Sequence, residues 1–148
     1  MKDVYTLSDL GSRAVLDSGA EHPARLAVLG HPVAHSLSPQ LHQPALDETE
    51  RGLRYLRVEV EPGRIGEALQ ALHRLEFVGD NVTVPHKFEA LSNCDEVDEN
   101  ARVLGAVNTI LFDNGQTLGF NTDGPGFARA IHEEFLVDVK DLRILVVG

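Results

Sequence analysis

The sequence predicts an α/β fold: a three-layer α/β/α sandwich with a mostly parallel sheet carrying one antiparallel strand. Three observations predict it. Short apolar runs alternate with segments of helical periodicity, the order that builds strand–helix–strand units. Arg25-Leu26-Ala27-Val28-Leu29-Gly30 is apolar over consecutive residues, as suits a central parallel strand buried on both faces. Asp113-Asn114-Gly115-Gln116 separates two strand-like runs, and Asn-Gly is the strongest short hairpin signal, so one strand must reverse.

Residues 1–23 are weakly patterned. Leu7, Leu10, Ala14 and Val15 fit one side of a short helix, and the segment is taken as an N-terminal extension. After the strand ending at Gly30, Ser38-Pro39 starts a helix, with Ser as N-cap and Pro at the first helical position. Leu41, Ala45 and Leu46 form its apolar face, and Pro44 should kink or shorten it. Residues 53–60 form a strand with Leu56, Val58 and Val60 on one face. Pro62-Gly63 turns the chain, and Ile65, Ala68, Leu69, Leu72 and Leu75 mark an amphipathic helix.

Residues 78–84 form the next strand, stopped by Pro85, which cannot donate to a ladder. Asp95 is expected to cap a helix carrying Val97, Ala101 and Leu104, closed by Gly105. Residues 106–112 and 117–121 are the hairpin strands. Pro125 then lies near a helix start, with Phe127, Ile131 and Phe135 on one face. Residues 143–147 are a further strand running into Gly148. A buried strand followed by glycine is how a dinucleotide-binding unit begins. The expected domains are therefore 1–23, an extension; 24–122, the main α/β domain; 123–142, a connecting helix and loop; and 143–148, the first strand of a truncated nucleotide-binding domain.

The chain of 148 residues is long enough for one domain with a real core. Its net charge of −10, without a basic cluster, argues against nucleic acid or an anionic membrane as partner. No apolar run approaches the roughly 20 residues of a membrane helix. Cys94 is the single cysteine, which excludes an internal disulfide and suits a reducing, cytoplasmic setting. Asp95 and Glu96 follow it and would raise its thiol pKa, so it is not taken as a nucleophile. His31, His35, His42 and His86 fit no standard metal spacing, and no metal is expected.

Four polar clusters fall at strand and helix ends: Ser36-Leu37-Ser38, Asn81 to Lys87, Ala106 to Thr109, and Asn121-Thr122-Asp123. They supply hydroxyls, amides, one ammonium and one carboxylate. That mixture suits a small ligand with several hydroxyls, each needing a donor and an acceptor. Lys87 lies just past the carboxyl end of a strand, where open α/β sheets bind ligands.

The order of these clusters resembles the shikimate dehydrogenase family. Gly30-His31-Pro32-Val33-Ala34-His35-Ser36-Leu37-Ser38-Pro39 looks like the family signature after its first strand. Asn81-Val82-Thr83-Val84-Pro85-His86-Lys87 matches its Asn-Val-Thr-x-Pro-x-Lys motif. Gly105-Ala106-Val107-Asn108-Thr109 and Gly119-Phe120-Asn121-Thr122-Asp123-Gly124 match two more, and the likeness covers roughly residues 25–148. It implies an NADP-dependent enzyme, monomer or homodimer, that interconverts 3-dehydroshikimate and shikimate in aromatic amino-acid biosynthesis. A quinate/shikimate dehydrogenase and a non-catalytic shikimate-binding module are the alternatives.

By the same resemblance, Ser36 and Ser38 hold the shikimate carboxylate. Asn81, Thr83, Asn108 and Asp123 hold the ring hydroxyls. Lys87 and Asp123 are the catalytic pair, moving the proton that accompanies hydride transfer. Gly148 would open the cofactor site. Asp123 also stands where a helix cap would. Two departures are visible: a longer N-terminus, and Gln43-Pro44 where the family has Asn and a small residue. A glutamine from a C-terminal helix, which completes the family's pocket, is not in this sequence. This segment alone is expected to bind substrate weakly and to catalyse nothing.

Overall fold

The structure is a computed structural model and describes residues 2–147. Gly148, assigned by resemblance to the cofactor, lies outside the described residues. The strands are β1 (Tyr5–Thr6), β2 (Ala24–Gly30), β3 (Arg54–Glu59), β4 (Gly79–Val82), β5 (Glu96–Val97), β6 (Thr109–Asp113) and β7 (Gln116–Phe120). The helices are α1 (Arg13–Leu16), α2 (Ser38–Glu48), α3 (Ile65–Arg74), α4 (Lys87–Leu91), α5 (Glu99–Leu104) and α6 (Asp123–Phe135), with 3-10 turns at Leu7–Gly11 and Val139–Asp141.

The described strands form one sheet in the order β1-β3-β2-β4-β6-β7-β5. β6 runs antiparallel to β4 and to β7, and every other pairing is parallel. The predicted mixed α/β sheet is thus the one observed. Asn114 and Gly115 both have positive φ, as the two-residue turn from β6 to β7 requires.

Period-two alternation builds the layers. Ala27, Leu29, Leu56, Val58, Val82 and Ile110 face a larger core closed by Ile65, Leu69 and Leu72 of α3. Val28, Tyr55 and Leu26 face the other way, towards Val33 and Leu46 of α2. One residue sits badly in the first core. Asp80 on β4 is 4% exposed, and neither carboxylate oxygen has a hydrogen-bond partner among the described residues. Burial in this apolar setting pushes its carboxyl well above the usual range.

Several expectations are corrected. The segment taken as an extension is part of the fold: Tyr5 and Thr6 pair with Val58 and Glu59, and Leu10 and Leu16 are buried in the main core. The chain breaks into a 3-10 turn and a one-turn helix around Ser12, whose Oγ accepts from Ala14 N. That break turns Leu16 inward and leaves Val15, expected inside, exposed.

In α2, Leu37 is the N-cap and Ser38 the first helical residue, with Ser36 Oγ accepting from Ser38 N at 3.3 Å. The helix continues through Pro44 to Glu48. Leu41 and Ala45 face solvent; His42 instead stacks on Tyr55 with ring centroids 4.8 Å apart. Gln43 accepts from Tyr55 N and donates to Leu53 O, so the unusual residue of this helix ties it to β3.

β4 is shorter than expected, and Thr83 and Val84 bond to Leu29 and His31 beyond its end. Asp98, not Asp95, caps α5, accepting from Ala101 N at 2.8 Å. Asp95 is occupied by Thr117, and Val97 belongs to β5. Residues 143–147 are not a strand. A strand exists through its ladder, and this run pairs with none of the described strands; its side chains are largely exposed.

Candidate active site

The topology brings the four polar clusters to one edge of the sheet. β2 and β4 are parallel, so Ser36, Ser38, Thr83 and Lys87 all follow carboxyl ends. β6 is reversed, so Asn108 precedes it at that same edge, and Asn121 to Asp123 follow β7 there. Gly30 lets the first two clusters meet: a Cβ there would come within 2.6 Å of Thr83 Cγ2.

Lys87 opens α4 and Asp123 opens α6. Lys87 Nζ donates to Asp123 Oδ2 at 2.6 Å, and Asn108 Nδ2 donates to Asp123 Oδ1 at 2.8 Å. Both carboxylate oxygens are thereby aimed. The cap role that competed for Asp123 belongs to Asn121. Its Oδ1 accepts from the amides of Asp123 (2.9 Å) and Gly124 (3.3 Å), and its Nδ2 donates to Ala106 O at 2.8 Å. Asn121 is 4% exposed. Because it satisfies the first turn of α6, the Asp123 carboxylate is free to face Lys87.

This makes Asn121→Ala informative. It removes a cap and leaves Ala106 O without its donor, so thermal unfolding should show a loss of about 1–2 kcal/mol. The Asp123 amide resonance should move with it. An unchanged melting curve would contradict the capping role.

The remaining candidates differ in how far they are engaged. Asn108 is buried, and its amide is filled by Thr109, Thr122 and Asp123. It holds the carboxylate rather than presenting free donors. Asn81 Oδ1 accepts from Tyr55 Oη at 2.6 Å, and its Nδ2 reaches Thr109 Oγ1 at 3.3 Å. Ser36 Oγ and Ser38 Oγ are 3.2 Å apart and half-buried. Among the described residues, no hydrogen bond involves the Thr83 hydroxyl, which leaves it open to a ligand.

Tyr55 was missed. Burial, and secondarily the charge of Asp80, push its phenol above the ordinary value, against an opposing bond with Ser38. Its hydroxyl donates to Asn81 Oδ1. The signal was present: Tyr55, Arg57 and Glu59 alternate with buried Leu56 and Val58, which puts three polar side chains on the face shared with Asn81.

Two of the histidines are engaged otherwise. His86 is fully buried with Nε2 2.7 Å from Val60 O, and His31 Nδ1 lies 2.9 Å from Glu59 Oε1. Among the described residues, no three His, Cys, Asp or Glu side chains gather as a metal site. The Cys94 thiol is pushed up to about 11, by burial first and Asp95 second.

At the turns into α2 and α6 the first amides are used internally, Ser38 N on Ser36 Oγ and the Asp123 and Gly124 amides on Asn121 Oδ1, so these two turns do not offer those amides to a phosphate.

Known proteins share this arrangement. The family model described as the shikimate dehydrogenase substrate binding domain matches residues 28–110. NADP(+) shikimate dehydrogenase of Geobacillus sp. (strain WCH70) is 47% identical over 122 residues, covering 82% of this chain and 44% of that protein. The Methanopyrus kandleri enzyme is 43% identical over 123 residues, 83% of this chain and 42% of its own length. The chain thus spans less than half the length of these relatives.

Among solved structures, shikimate dehydrogenase from Aquifex aeolicus superposes with a TM-score of 0.72 at 36% identity, over 76% of this chain and 43% of that one. Shikimate 5-dehydrogenase of Thermus thermophilus, in complex with NADP(H) and shikimate, gives 0.70 at 43% identity, over 74% and 42%. With sheet, motif order and family model in agreement, the chain belongs to the family of shikimate dehydrogenase substrate-binding domains.

Proposed function

We propose that this chain binds shikimate and 3-dehydroshikimate, and that in the whole protein it holds the substrate during their NADP-linked interconversion. The observation that supports this most directly is the Lys87–Asp123 contact of 2.6 Å at a sheet edge lined with hydroxyls and amides. Reducing a ketone to an alcohol places a proton on oxygen. Lys87 supplies that proton, Asp123 orients its ammonium, and Asn108 fixes Asp123. In the oxidising direction the proton returns along the same path. Ser36 and Ser38 donate to the substrate carboxylate, while Thr83, Asn81 and Lys87 line the ring. The hydride carrier binds elsewhere in the whole protein. No described helix is long and apolar enough to cross a membrane, and we place the enzyme in the cytoplasm.

The test is a titration of shikimate into the 148-residue chain followed by amide resonances. Saturable shifts are expected at Ser38, Thr83, Lys87 and Asp123. Ser38→Ala and Thr83→Ala should each weaken binding by roughly 3–10-fold, the worth of one hydroxyl hydrogen bond. A folded chain whose resonances at this edge ignore shikimate would sink the reading.

A further inference from the structure

β3 carries two charged residues beneath the serine loop. Arg57 and Glu59 are two apart in a strand and share a face. Arg57 is 8% exposed. Its Nε donates to Ser36 O at 2.9 Å, its Nη2 to Gln40 Oε1 at 2.7 Å, and its Nη1 to Asp3 Oδ1 at 2.8 Å. Glu59 Oε2 accepts from Val33 N at 2.8 Å, and Oε1 meets His31. The pair therefore grips residues 31–40 at their start, at the first serine and in the first turn of α2.

Burying a guanidinium is costly unless every donor finds a partner, and an apolar side chain would fill the same space more cheaply. What the fork adds is geometry. It fixes a backbone carbonyl and a side-chain amide at once, which a point charge on a flexible stem cannot do. The carbonyl it holds belongs to Ser36, and the amide lies two residues past Ser38. Those serines carry hydroxyls only 3.2 Å apart, a spacing that lets each donate to one oxygen of a carboxylate.

We propose that Arg57 is a positioning residue that holds the Ser36 and Ser38 hydroxyls in register for two-point capture of a carboxylate, while Glu59 holds the start of the same loop. The proposal rests on the assignment of these serines to the shikimate carboxylate. A methyl ester offers the same ring but is neutral and blocked at one oxygen, so the preference for acid over ester measures capture of the ionised carboxylate. Hydrogen bonds to an ionised acceptor are about twice as strong as neutral ones, so losing register should cost the acid and spare the ester.

The experiment titrates shikimate and methyl shikimate into wild-type chain, Arg57→Met and Arg57→Lys. The acid-over-ester preference should fall about tenfold in both variants, with ester affinity within about twofold of wild type. A folded Arg57→Met that keeps the preference overturns the proposal. So does an Arg57→Lys that keeps it, since charge rather than the fork would then suffice. A general structural loss would weaken acid and ester together, which also overturns it. Should the Arg57 variants not fold, Gln40→Ala removes one grip from an exposed position and should lower the preference about threefold; an unaltered preference there is equally fatal. Wild-type chain that binds neither ligand defeats the shikimate assignment as well, whereas failure of the preference test alone leaves that assignment standing.

Discussion

Lys87→Ala is expected to lower turnover of the whole enzyme by about 10²–10⁴-fold, the usual contribution of a positioned proton donor. The substitution takes away the ammonium that touches Asp123 Oδ2 and leaves the rest of the edge in place. Asn108 still holds Oδ1, and Asn121 still caps α6. The fold should also persist, because the Lys87 backbone carbonyl keeps its bond from Val107 N. The loss should therefore fall mainly on turnover, with shikimate affinity changed far less. Steady-state kinetics beside a binding titration separate the two. Turnover within a few-fold of wild type would remove Lys87 from the chemistry.

Asp80→Val should stabilise the folded chain, and the gain should grow with pH. Asp80 has two unpartnered oxygens in an apolar core, and an unsatisfied buried polar group costs about 1–3 kcal/mol. A β-branched side chain of similar size suits the strand. The pH dependence follows from linkage. Burial raises the carboxyl's pKa in the folded state above its unfolded value of about 3.9. Between those two values the folded chain binds more protons than the unfolded one, so wild-type stability falls as pH rises through that window. Valine has no proton to lose. Urea unfolding at about pH 4.5 and about pH 8 should thus show a gain at both, larger at the higher pH. An equal gain at both would mean that Asp80 ionises normally.

Most of the central sheet was legible because its signals are local. β2 is a continuous apolar run, α3 shows its buried stripe, and Asn114-Gly115 announces the hairpin. The edge carrying Lys87 and Asp123 followed from strand ends and motif order. What escaped depends on distant partners. A two-residue edge strand such as β1 has no period to detect, and it exists because β3 offers a ladder. Residues 143–147 have the composition of a strand but no neighbour to pair with among the described strands. Asn121 and Asp123 are equally good caps on paper; which one turns inward is decided by Ala106 O and Lys87. Tyr55, Arg57 and Glu59 look like an ordinary solvent face until the loop of residues 31–40 closes over them.

The reversal of β6 has a practical consequence. Asn108 and Asp123 come from opposite ends of one hairpin, 15 residues apart in sequence. The hairpin's tip, Asp113 to Gln116, therefore lies at the far margin of the sheet, away from the ligand edge. A fluorophore, an affinity tag or a pair of new termini placed at Asn114–Gly115 would report on or relink the domain without touching its chemistry. That position is the place to attach a probe for the titrations above.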